Sequence, residues 1–379
     1  MNEAWVILFF FFPGFVWIWL IFFRGQFWSC DQKMCDQYVL ETFPSIVALI
    51  PARNEVETIG ATILSLRNQI YSGKIEIIVI DDNSSDGTEI AARKAMCSRI
   101  IKSGDLPSGW TGKLWALHQG IKLIQKEFPK TEYILFTDAD INHSKENILQ
   151  LVSKASCENL DIVSLMVRLN SESFWERFLV PPFIFFFQML YPFRWVNDPR
   201  KKIAAAAGGC MLIRKTALDR VDGVLQIKGC LIDDCALGKS IKSHGSIWLG
   251  LSEKTKSLRR YDQLVEIWSM VSRTAFAQLN YSLTNLLGTS LALFVTFLMP
   301  LLMLIFGIVF GNQLAIMGGS LSWLLMTFAY ISTIRLFQIP FIWVFSFPFA
   351  SFLYLIMTLA SAIYFWRGRG GSWKGRYYH

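Results

Sequence analysis

Two carboxylates one residue apart, Asp138 and Asp140, are the first side chains in the chain whose spacing suggests chemistry. They follow Tyr133–Phe136, a short apolar run that is typical of a buried strand. In open α/β sheets, ligands bind outside the carboxyl ends of the strands. Carboxylate oxygens are hard ligands, which favour Mg²⁺ or Mn²⁺ over soft metals. The pair predicts a divalent-cation site, although a solvated acidic turn fits the three residues alone equally well.

Three other groups of residues fit the binding of a nucleoside diphosphate. They are Pro51, Arg53 and Glu55 after a first strand, Asp81 and Asp82 after a second, and Gly112 and Lys113 at the start of a helix. An acid directly after a strand can bind a nucleobase or ribose, and a lysine at a helix N-terminus suits a diphosphate. The sequence contains neither G-x-G-x-x-G nor the P-loop motif, which disfavours hydride transfer and ATP hydrolysis. Lys113 alone would fit a solvated helix residue.

The elements that position these residues alternate between strand and helix from residue 43 to residue 252. Apolar runs at 45–50, 75–80, 133–136 and 161–167 predict strands. Between the first three runs lie segments whose apolar residues have helical spacing. Strands that are apolar throughout indicate burial on both faces. The fold class predicted is therefore α/β, with a mostly parallel, Rossmann-like sheet and helices on both faces.

The N-terminal segment 1–24 predicts a membrane anchor. Trp5–Phe23 is a run of 19 residues without a charge, which is long enough to span a bilayer and too long for the apolar part of a signal peptide. Glu3 precedes the run, whereas Arg24 and Lys33 follow it. Because basic residues stay on the inner side, we expect an integral protein of the cell's inner membrane with its catalytic domain facing the cytoplasm.

Residues 283–366 predict a second membrane region. Three apolar runs, 283–310, 314–331 and 336–366, are candidate spans, and a basic tail follows at 367–379. Three spans would place the tail outside, whereas its basic residues favour the inside. A turn back at Pro348, which would make the last run a short hairpin, is the alternative.

The segment 174–193 is aromatic and aliphatic but contains two adjacent prolines and two charges. We interpret it as lying in the membrane interface, with a buried core helix as the alternative. Four basic residues close behind it are placed to meet lipid phosphates: Arg194, Arg200, Lys201 and Lys202.

Composition excludes several classes of protein. A hydrophobic content of 53%, with 31 Phe and 14 Trp, is too apolar for a purely soluble chain. The net charge of +8 would suit anionic lipid or a phosphorylated substrate, but no dense basic block or nucleic-acid motif accompanies it, so nucleic acid is not an expected partner. Seven cysteines without a C-x-x-C pair indicate reduced thiols.

The chain resembles the GT-A glycosyltransferases of family 2. The resemblance rests on 51–55 (PARNE), 81–87 (DDNSSDG), 112–120 (GKLWALHQG), 138–140 (DAD) and the later pairs Gly208–Gly209 and Asp233–Asp234. The string 109–115 (GWTGKLW), the apolar segments at both ends and the closing 373–376 (WKGR) are similar to the hopene-associated membrane subgroup and to enzymes that glucosylate bacterial carotenoids.

The resemblance implies roles for these residues. The first two motifs would bind the nucleotide, Lys113 and Asp138 the donor, and Asp138 with Asp140 the divalent cation. Asp234 would be the catalytic base, with Asp233 beside it, although a charge pair that merely stabilises a helix N-terminus is the alternative. This family commonly has Glu-Asp where the chain has Asp233–Asp234. Its polymer-making members carry Gln-x-x-Arg-Trp, which is absent here. The region from Trp268 to Arg273 is a candidate for a substitute arginine.

We therefore expect a glycosyltransferase domain at 43–282 that inverts the anomeric centre. It would transfer one sugar, without processivity, from a UDP- or GDP-sugar to a membrane lipid such as a hopanoid or carotenoid. Two alternatives come from other classes: an inactive membrane scaffold that binds the sugar nucleotide, and a nucleotidyltransferase. The latter would need a basic glycine-rich loop after the first strand, where residues 51–55 provide none.

Overall fold

A computed structural model describes residues 3–34 and 40–371 and divides the chain into two compact units. The sheet unit consists of Gln32–Asn170 and Trp195–Arg260, and the apolar helical unit of Met1–Asp31, Ser171–Arg194 and Tyr261–His379. Most of the predicted basic tail, including 373–376, lies outside the described residues. Within the predicted domain 43–282, the stretches 171–194 and 261–282 belong to the helical unit.

The sheet unit contains one eight-stranded sheet in the order β3-β2-β1-β4-β7-β6-β8-β5. The strands are β1 (Ile46–Ala52), β2 (Ile75–Asp81), β3 (Arg99–Lys102), β4 (Tyr133–Thr137), β5 (Ile141–Asn142), β6 (Ile162–Arg168), β7 (Cys210–Arg214) and β8 (Ile247–Ser257). Strands β3, β2, β1 and β4 pair in parallel, as do β6 and β8, while β7 and β5 pair antiparallel with their neighbours. The prediction of a mostly parallel α/β sheet is confirmed.

Fourteen α-helices occur in the described residues. They are α1 (Glu3–Phe23), α2 (Ile59–Arg67), α3 (Thr88–Lys94), α4 (Gly112–Glu127), α5 (Asn147–Cys157), α6 (Phe174–Leu190), α7 (Phe193–Asn197), α8 (Lys215–Arg220), α9 (Asp233–Lys242), α10 (Leu264–Gln278), α11 (Leu283–Leu293), α12 (Met299–Phe310), α13 (Gln313–Phe337) and α14 (Phe347–Trp366).

Helices cover both faces of the sheet. Alternate residues of β1, such as Ile46 and Ile50, join a buried cluster with apolar side chains of α2, α3 and α5. The intervening residues face α4, where Gly120 lies so close that an added Cβ would be 2.9 Å from Leu49 Cδ2. Burial of β1 on both faces explains why its sequence is apolar without alternation.

In the described part of the apolar helical unit, four helices are long and apolar enough to cross a membrane: Ala4–Phe23, Leu283–Phe310, Gln313–Phe337 and Phe341–Trp366. The first packs closely on the third, since a Cβ at Gly318 would lie 2.1 Å from the carbonyl oxygen of Phe10. The last run does not turn back at Pro348. That proline lies in the first turn of α14, where its missing N–H costs no helical hydrogen bond.

The segment 174–193 begins with α6, which continues through its two prolines. Glu176 is fully buried and accepts hydrogen bonds from the backbone N–H groups of Ser173 (3.0 Å) and Tyr261 (2.8 Å). Phe185 packs in an aromatic cluster with Trp17, Tyr330 and others. Part of this helix is therefore core of the helical unit, and its contact with a membrane surface stays a prediction.

A proline in the second long helix leaves a backbone carbonyl without its usual helical donor, and a side chain of α1 donates to that carbonyl instead. Pro300 has no N–H to donate to the carbonyl of Thr296, four residues earlier, and the preceding turn, Phe294–Leu298, is a π-helix. The indole Nε1–H of Trp17 donates to the Thr296 carbonyl at 2.8 Å. Both groups are buried, and an unsatisfied carbonyl in such a bundle is costly.

Replacing Trp17 tests the contribution of its hydrogen bond to the Thr296 carbonyl. We expect Trp17→Phe to lower the free energy of unfolding by about 1–2 kcal/mol more than its lost volume explains, because the Thr296 carbonyl loses its donor. The measurement is unfolding of the full chain in detergent micelles. The matched control is Trp323→Phe, since the buried Nε1 of Trp323 has no hydrogen-bond partner among the described residues. Equal losses of unfolding free energy in the two variants would show that the Trp17 hydrogen bond does not stabilise the unit.

Candidate functional site

The loops after β1 and β2 are bonded to each other. The guanidinium of Arg53 donates to the carbonyl of Asp82 at 2.6 Å, and the Asp82 N–H donates to the carbonyl of Ala52 at 2.8 Å. The Asn54 carboxamide accepts from the Ser85 N–H at 2.9 Å. Pro51, which was also predicted to bind the nucleotide, is buried within β1. The two predicted nucleotide motifs thus form one surface.

Asp81 offers an oxygen that the fold leaves unsatisfied. Its side chain is buried, with 2% exposure, and Oδ2 accepts from the Ser84 N–H at 3.3 Å. The other oxygen, Oδ1, is buried and has no hydrogen-bond partner among the described residues. In contrast, the neighbouring Asp82 accepts from the Ser103 hydroxyl at 3.0 Å. Because an unpaired buried acceptor is costly, Asp81 is suited to an N–H or O–H group of a ligand.

Lys113, in the first turn of α4 after Gly112, joins two of the acidic motifs. Its Nζ lies 2.8 Å from Asp138 Oδ1 and 3.4 Å from Asp233 Oδ2. Withdrawal from water would lower the pKa of this lysine, but the charges of the two carboxylates outweigh that effect and raise it. Lys113 is therefore a fixed positive charge between the end of β4 and the start of α9.

Asp234 is a partly exposed carboxylate held at the first turn of α9. Its Oδ2 accepts from the backbone N–H of Gly208 at 2.9 Å, and the Gly208–Gly209 turn leads into β7 beside β4. Withdrawal of the carboxylate from water, and then the charge of the neighbouring Asp233, raise the pKa of Asp234 to about 6. The positive charge of Lys113 opposes this rise. A carboxyl group with this pKa is a suitable general base near neutral pH.

Asp140 is bound by an arginine from the end of β8. Arg259 Nε donates to Asp140 Oδ2 at 2.8 Å, and its Nη2 donates to Glu55 Oε1 at 2.7 Å. Burial and then the Asp138 carboxylate raise the pKa of Asp140, and Arg259 opposes this rise. The predicted site residues Glu55 and Asp140 are thus brought together by a residue outside every predicted motif.

The D-x-D pair fits a divalent cation that a substrate would help to coordinate. Among the described residues, no group of three or more His, Cys, Asp and Glu side chains could hold a metal ion. However, Mg²⁺ commonly takes one or two carboxylates and completes its coordination with substrate phosphates and water. Asp138 and Asp140 both already bind cationic side chains. Their hard oxygen donors and the local excess of negative charge fit such an ion.

A buried hydrogen-bond chain supports the turn between β4 and β5. The Thr255 hydroxyl donates to Asn147 Oδ1 (3.1 Å), Asn147 Nδ2 contacts His143 Nδ1 (2.9 Å), and His143 Nε2 contacts the Thr137 hydroxyl (3.0 Å). That hydroxyl donates to the Gly209 carbonyl at 2.9 Å. This order assigns the proton of a neutral imidazole to Nε2, and burial lowers the pKa of His143 to about 3. This series of hydrogen bonds links the strand that precedes the D-x-D pair to the glycine turn that holds Asp234.

Sequence reasoning missed Arg259 and His143. The candidate arginine from the sequence, Arg273 in the region from Trp268 to Arg273, lies in α10 of the helical unit. The available signal for Arg259 was its place directly after a strand, as for the acidic motifs. His143 offered only its closeness to Asp140 in sequence, and its partners Asn147 and Thr255 come from separate elements.

Comparison with known protein families gives a match to glycosyl transferase family 2 over residues 47–222. The matched residues make up slightly less than half of the chain. The match includes the motifs from Pro51 to Gly209 and ends before the Asp233–Asp234 pair. The roles predicted for individual residues are not tested by this match and stay predictions.

Two relatives that are similar to part of the chain are named as glycosyltransferases. A 4,4'-diaponeurosporenoate glycosyltransferase of Staphylococcus haemolyticus is 32% identical over 135 residues, which are 35% of this chain and 33% of the relative. The protein of the same name from Staphylococcus aureus is 30% identical over 106 residues, 28% of this chain and 26% of that relative. The chain thus matches about a third or less of the length of these relatives.

The fold of the chain is also found in a solved structure. A mannosyltransferase from Pyrobaculum calidifontis, determined in complex with GDP-Man and Mn²⁺, matches with a TM-score of 0.55 at 15% identity. The match covers 96% of this chain and 99% of the mannosyltransferase. At this identity the similarity concerns the fold, and it confirms the predicted GT-A class.

The buried His143 predicts how the stability of the folded chain depends on pH. Since its pKa is about 3 in the folded chain and about 6.5 when unfolded, its contribution is complete above pH 6.5 and is lost as the pH falls. Lowering the pH from 7.5 to 5.5 should cost about 1.4 kcal/mol through this residue. His143→Gln should remove that part of the dependence in thermal unfolding, whereas the exposed His244→Gln should not. Parallel pH curves for His143→Gln and the unaltered chain would contradict a neutral His143.

Proposed function

We propose that the protein is an inverting glycosyltransferase that moves one sugar from a nucleotide sugar to a membrane lipid. The observation that carries this proposal is the pairing of Lys113 with Asp138 and Asp233, which sets a donor-binding charge beside a candidate base, Asp234, in a family 2 domain. The relatives are named as glycosyltransferases, and the scaffold and nucleotidyltransferase alternatives lack a comparable observation.

Donor binding is assigned to the surface formed by the first two motifs and Lys113. The unsatisfied oxygen of Asp81 would accept a hydrogen bond from the nucleobase or ribose. Lys113, at a helix N-terminus, would bind the diphosphate through its charge. Asp138 and Asp140 would hold the divalent cation, which stabilises the negative charge of the leaving diphosphate. The mannosyltransferase of the same fold was solved with GDP-Man and Mn²⁺, which supports this class of donor.

Asp234 is assigned as the general base for direct displacement. It would remove the proton from an acceptor hydroxyl as the hydroxyl oxygen attacks the anomeric carbon. The bond between that carbon and the diphosphate oxygen breaks, and the nucleoside diphosphate leaves. Attack opposite to the leaving group inverts the anomeric centre. The Gly208 N–H donates to Asp234 Oδ2 at 2.9 Å and the Cys235 N–H donates to Oδ1 at 2.7 Å, so both oxygens of this carboxylate are held in place.

The acceptor is assigned as a lipid because four helices of the chain could cross a membrane. A soluble acceptor would not need such an enzyme. The relatives are named for 4,4'-diaponeurosporenoate, which is carotenoid-related, and a hopanoid acceptor follows from the resemblance of the sequence. Transfer of a single sugar is supported by the absence of Gln-x-x-Arg-Trp from the sequence.

An inner-membrane location with the sheet unit on the cytoplasmic side completes the proposal. Arg24 and Lys33 follow the first apolar helix, and basic residues close to a span favour the cytoplasmic side. Accessibility of an introduced cysteine in the sheet unit to an impermeant thiol reagent, in intact cells and in lysed cells, measures this orientation.

A donor screen tests the proposed reaction. Membranes containing the protein are supplied with UDP-glucose, UDP-N-acetylglucosamine or GDP-mannose and Mn²⁺, and the extracted lipids are analysed by mass spectrometry. We expect one donor to add a single hexose or N-acetylhexosamine mass to a lipid. Sugar-nucleotide binding without a new product would favour the inactive scaffold, and transfer of a nucleotidyl group would favour the nucleotidyltransferase.

Asp234 and Asp233 should respond differently to amide substitution. Asp234→Asn should reduce turnover by about 10²–10⁴-fold without weakening donor binding, because it removes the base and keeps the shape. In the unaltered enzyme, turnover should rise with pH through about 6 as Asp234 loses its proton. Asp233→Asn removes a like charge and should move that rise to lower pH.

The measurement is the initial rate of transfer between pH 4.5 and 8.5 for both variants, with donor affinity determined separately. Equal and mild losses for the two variants, with an unshifted pH profile, would instead indicate a charge pair that only stabilises α9.

A further inference from the structure

The backbone of Arg259 is fixed directly beside the D-x-D turn. Strand β8 pairs antiparallel with β5 up to Ser257, and the Leu258 N–H donates to the carbonyl of Asp140 at 2.6 Å. The Arg259 carbonyl accepts from Asn170 Nδ2 at 2.7 Å. These backbone contacts do not depend on the guanidinium, so the side chain can change partners while its Cα stays in place.

The guanidinium joins carboxylates from two different motifs. It bonds Asp140 Oδ2 at 2.8 Å and Glu55 Oε1 at 2.7 Å. The side chain of Arg259 is 36% exposed, whereas those of Asp140 and Glu55 are 11% and 13% exposed. The cation is therefore the accessible member of the group, and a ligand arriving from solvent meets it first.

A metal ion on Asp140 would compete with this guanidinium. Both are cations attracted to the carboxylate of Asp140, and binding of the two close together would be opposed by charge repulsion. A displaced guanidinium beside the metal would lie near the diphosphate that the metal binds. Its planar set of N–H donors is suited to binding phosphate oxygens in pairs, which a lysine ammonium cannot do.

We infer that Arg259 exchanges partners during donor binding: it gives up Asp140 to the metal ion and binds the donor diphosphate instead. This inference rests on the proposed function. It makes Arg259 a donor-binding residue whose removal has opposite effects on the two ligands. The metal should bind more tightly, because its competitor is gone, and the nucleoside diphosphate should bind more weakly, because it loses a partner.

The test uses the full chain in detergent micelles, freed of metal by chelation. Mn²⁺ alone is titrated and followed by the electron paramagnetic resonance signal of the free ion, and UDP and GDP are then titrated at saturating Mn²⁺ by calorimetry. For Arg259→Gln we expect Mn²⁺ affinity to rise about tenfold and the affinity for the bound diphosphate to fall about tenfold. Arg200→Gln makes the same charge change at an arginine paired with Asp198 and should alter neither affinity.

Arg259→Lys keeps the charge and serves also if Arg259→Gln does not fold. An ammonium is a point charge that cannot span Asp140 and Glu55 as the guanidinium does, so Mn²⁺ affinity should again rise and diphosphate affinity should again fall, each by a few-fold. Unchanged or weaker Mn²⁺ binding, or unchanged diphosphate binding, in the Arg259 variants overturns the exchange. Asp140→Asn separates this result from the proposed function: if Mn²⁺ still binds that variant as before, the metal assignment itself has failed.

Discussion

The site depends on the contact of one ammonium group with two carboxylates. Lys113 lies between Asp138 at the end of β4 and Asp233 at the start of α9. Without this charge, acids from several elements would repel one another across a small space, in surroundings that already raise the pKa values of Asp140 and Asp234. The lysine reduces that repulsion and fixes the distance between the donor motif and the candidate base. Their geometry is thus set by charge as well as by backbone pairing.

A second constraint operates in the apolar helical unit, where backbone polar groups must find partners within the protein. Pro300 leaves the carbonyl of Thr296 without its helical donor, and the indole of Trp17 satisfies it. Glu176 is buried at the start of α6 and accepts three backbone hydrogen bonds. In both cases a polar side chain within an aromatic segment has a specific structural partner.

The fold was largely predictable because its signals are local. The apolar runs, the acids that follow them and the long apolar segments each occupy a few consecutive residues, and β1, β2, β4, β6 and the long helices lie where these patterns indicate. The convergence of the four motifs also followed, since the carboxyl ends of parallel strands meet at one edge. Arg259 could not be predicted, because its place depends on the antiparallel pairing of β8 with a two-residue strand. Nor could the division of residues 43–282 between two units, which depends on the burial of α6 and α10.

The interleaving of the two units has a practical consequence for anyone seeking a water-soluble fragment. The polypeptide passes between the units four times, at residues 31–32, 170–171, 194–195 and 260–261. Trimming both ends of the polypeptide would therefore still leave α6, with its buried aromatic side chains, in the fragment. Freed from the helices that cover it, that surface would promote aggregation. A soluble form requires internal excision of 171–194 with a short linker, in addition to removal of the termini.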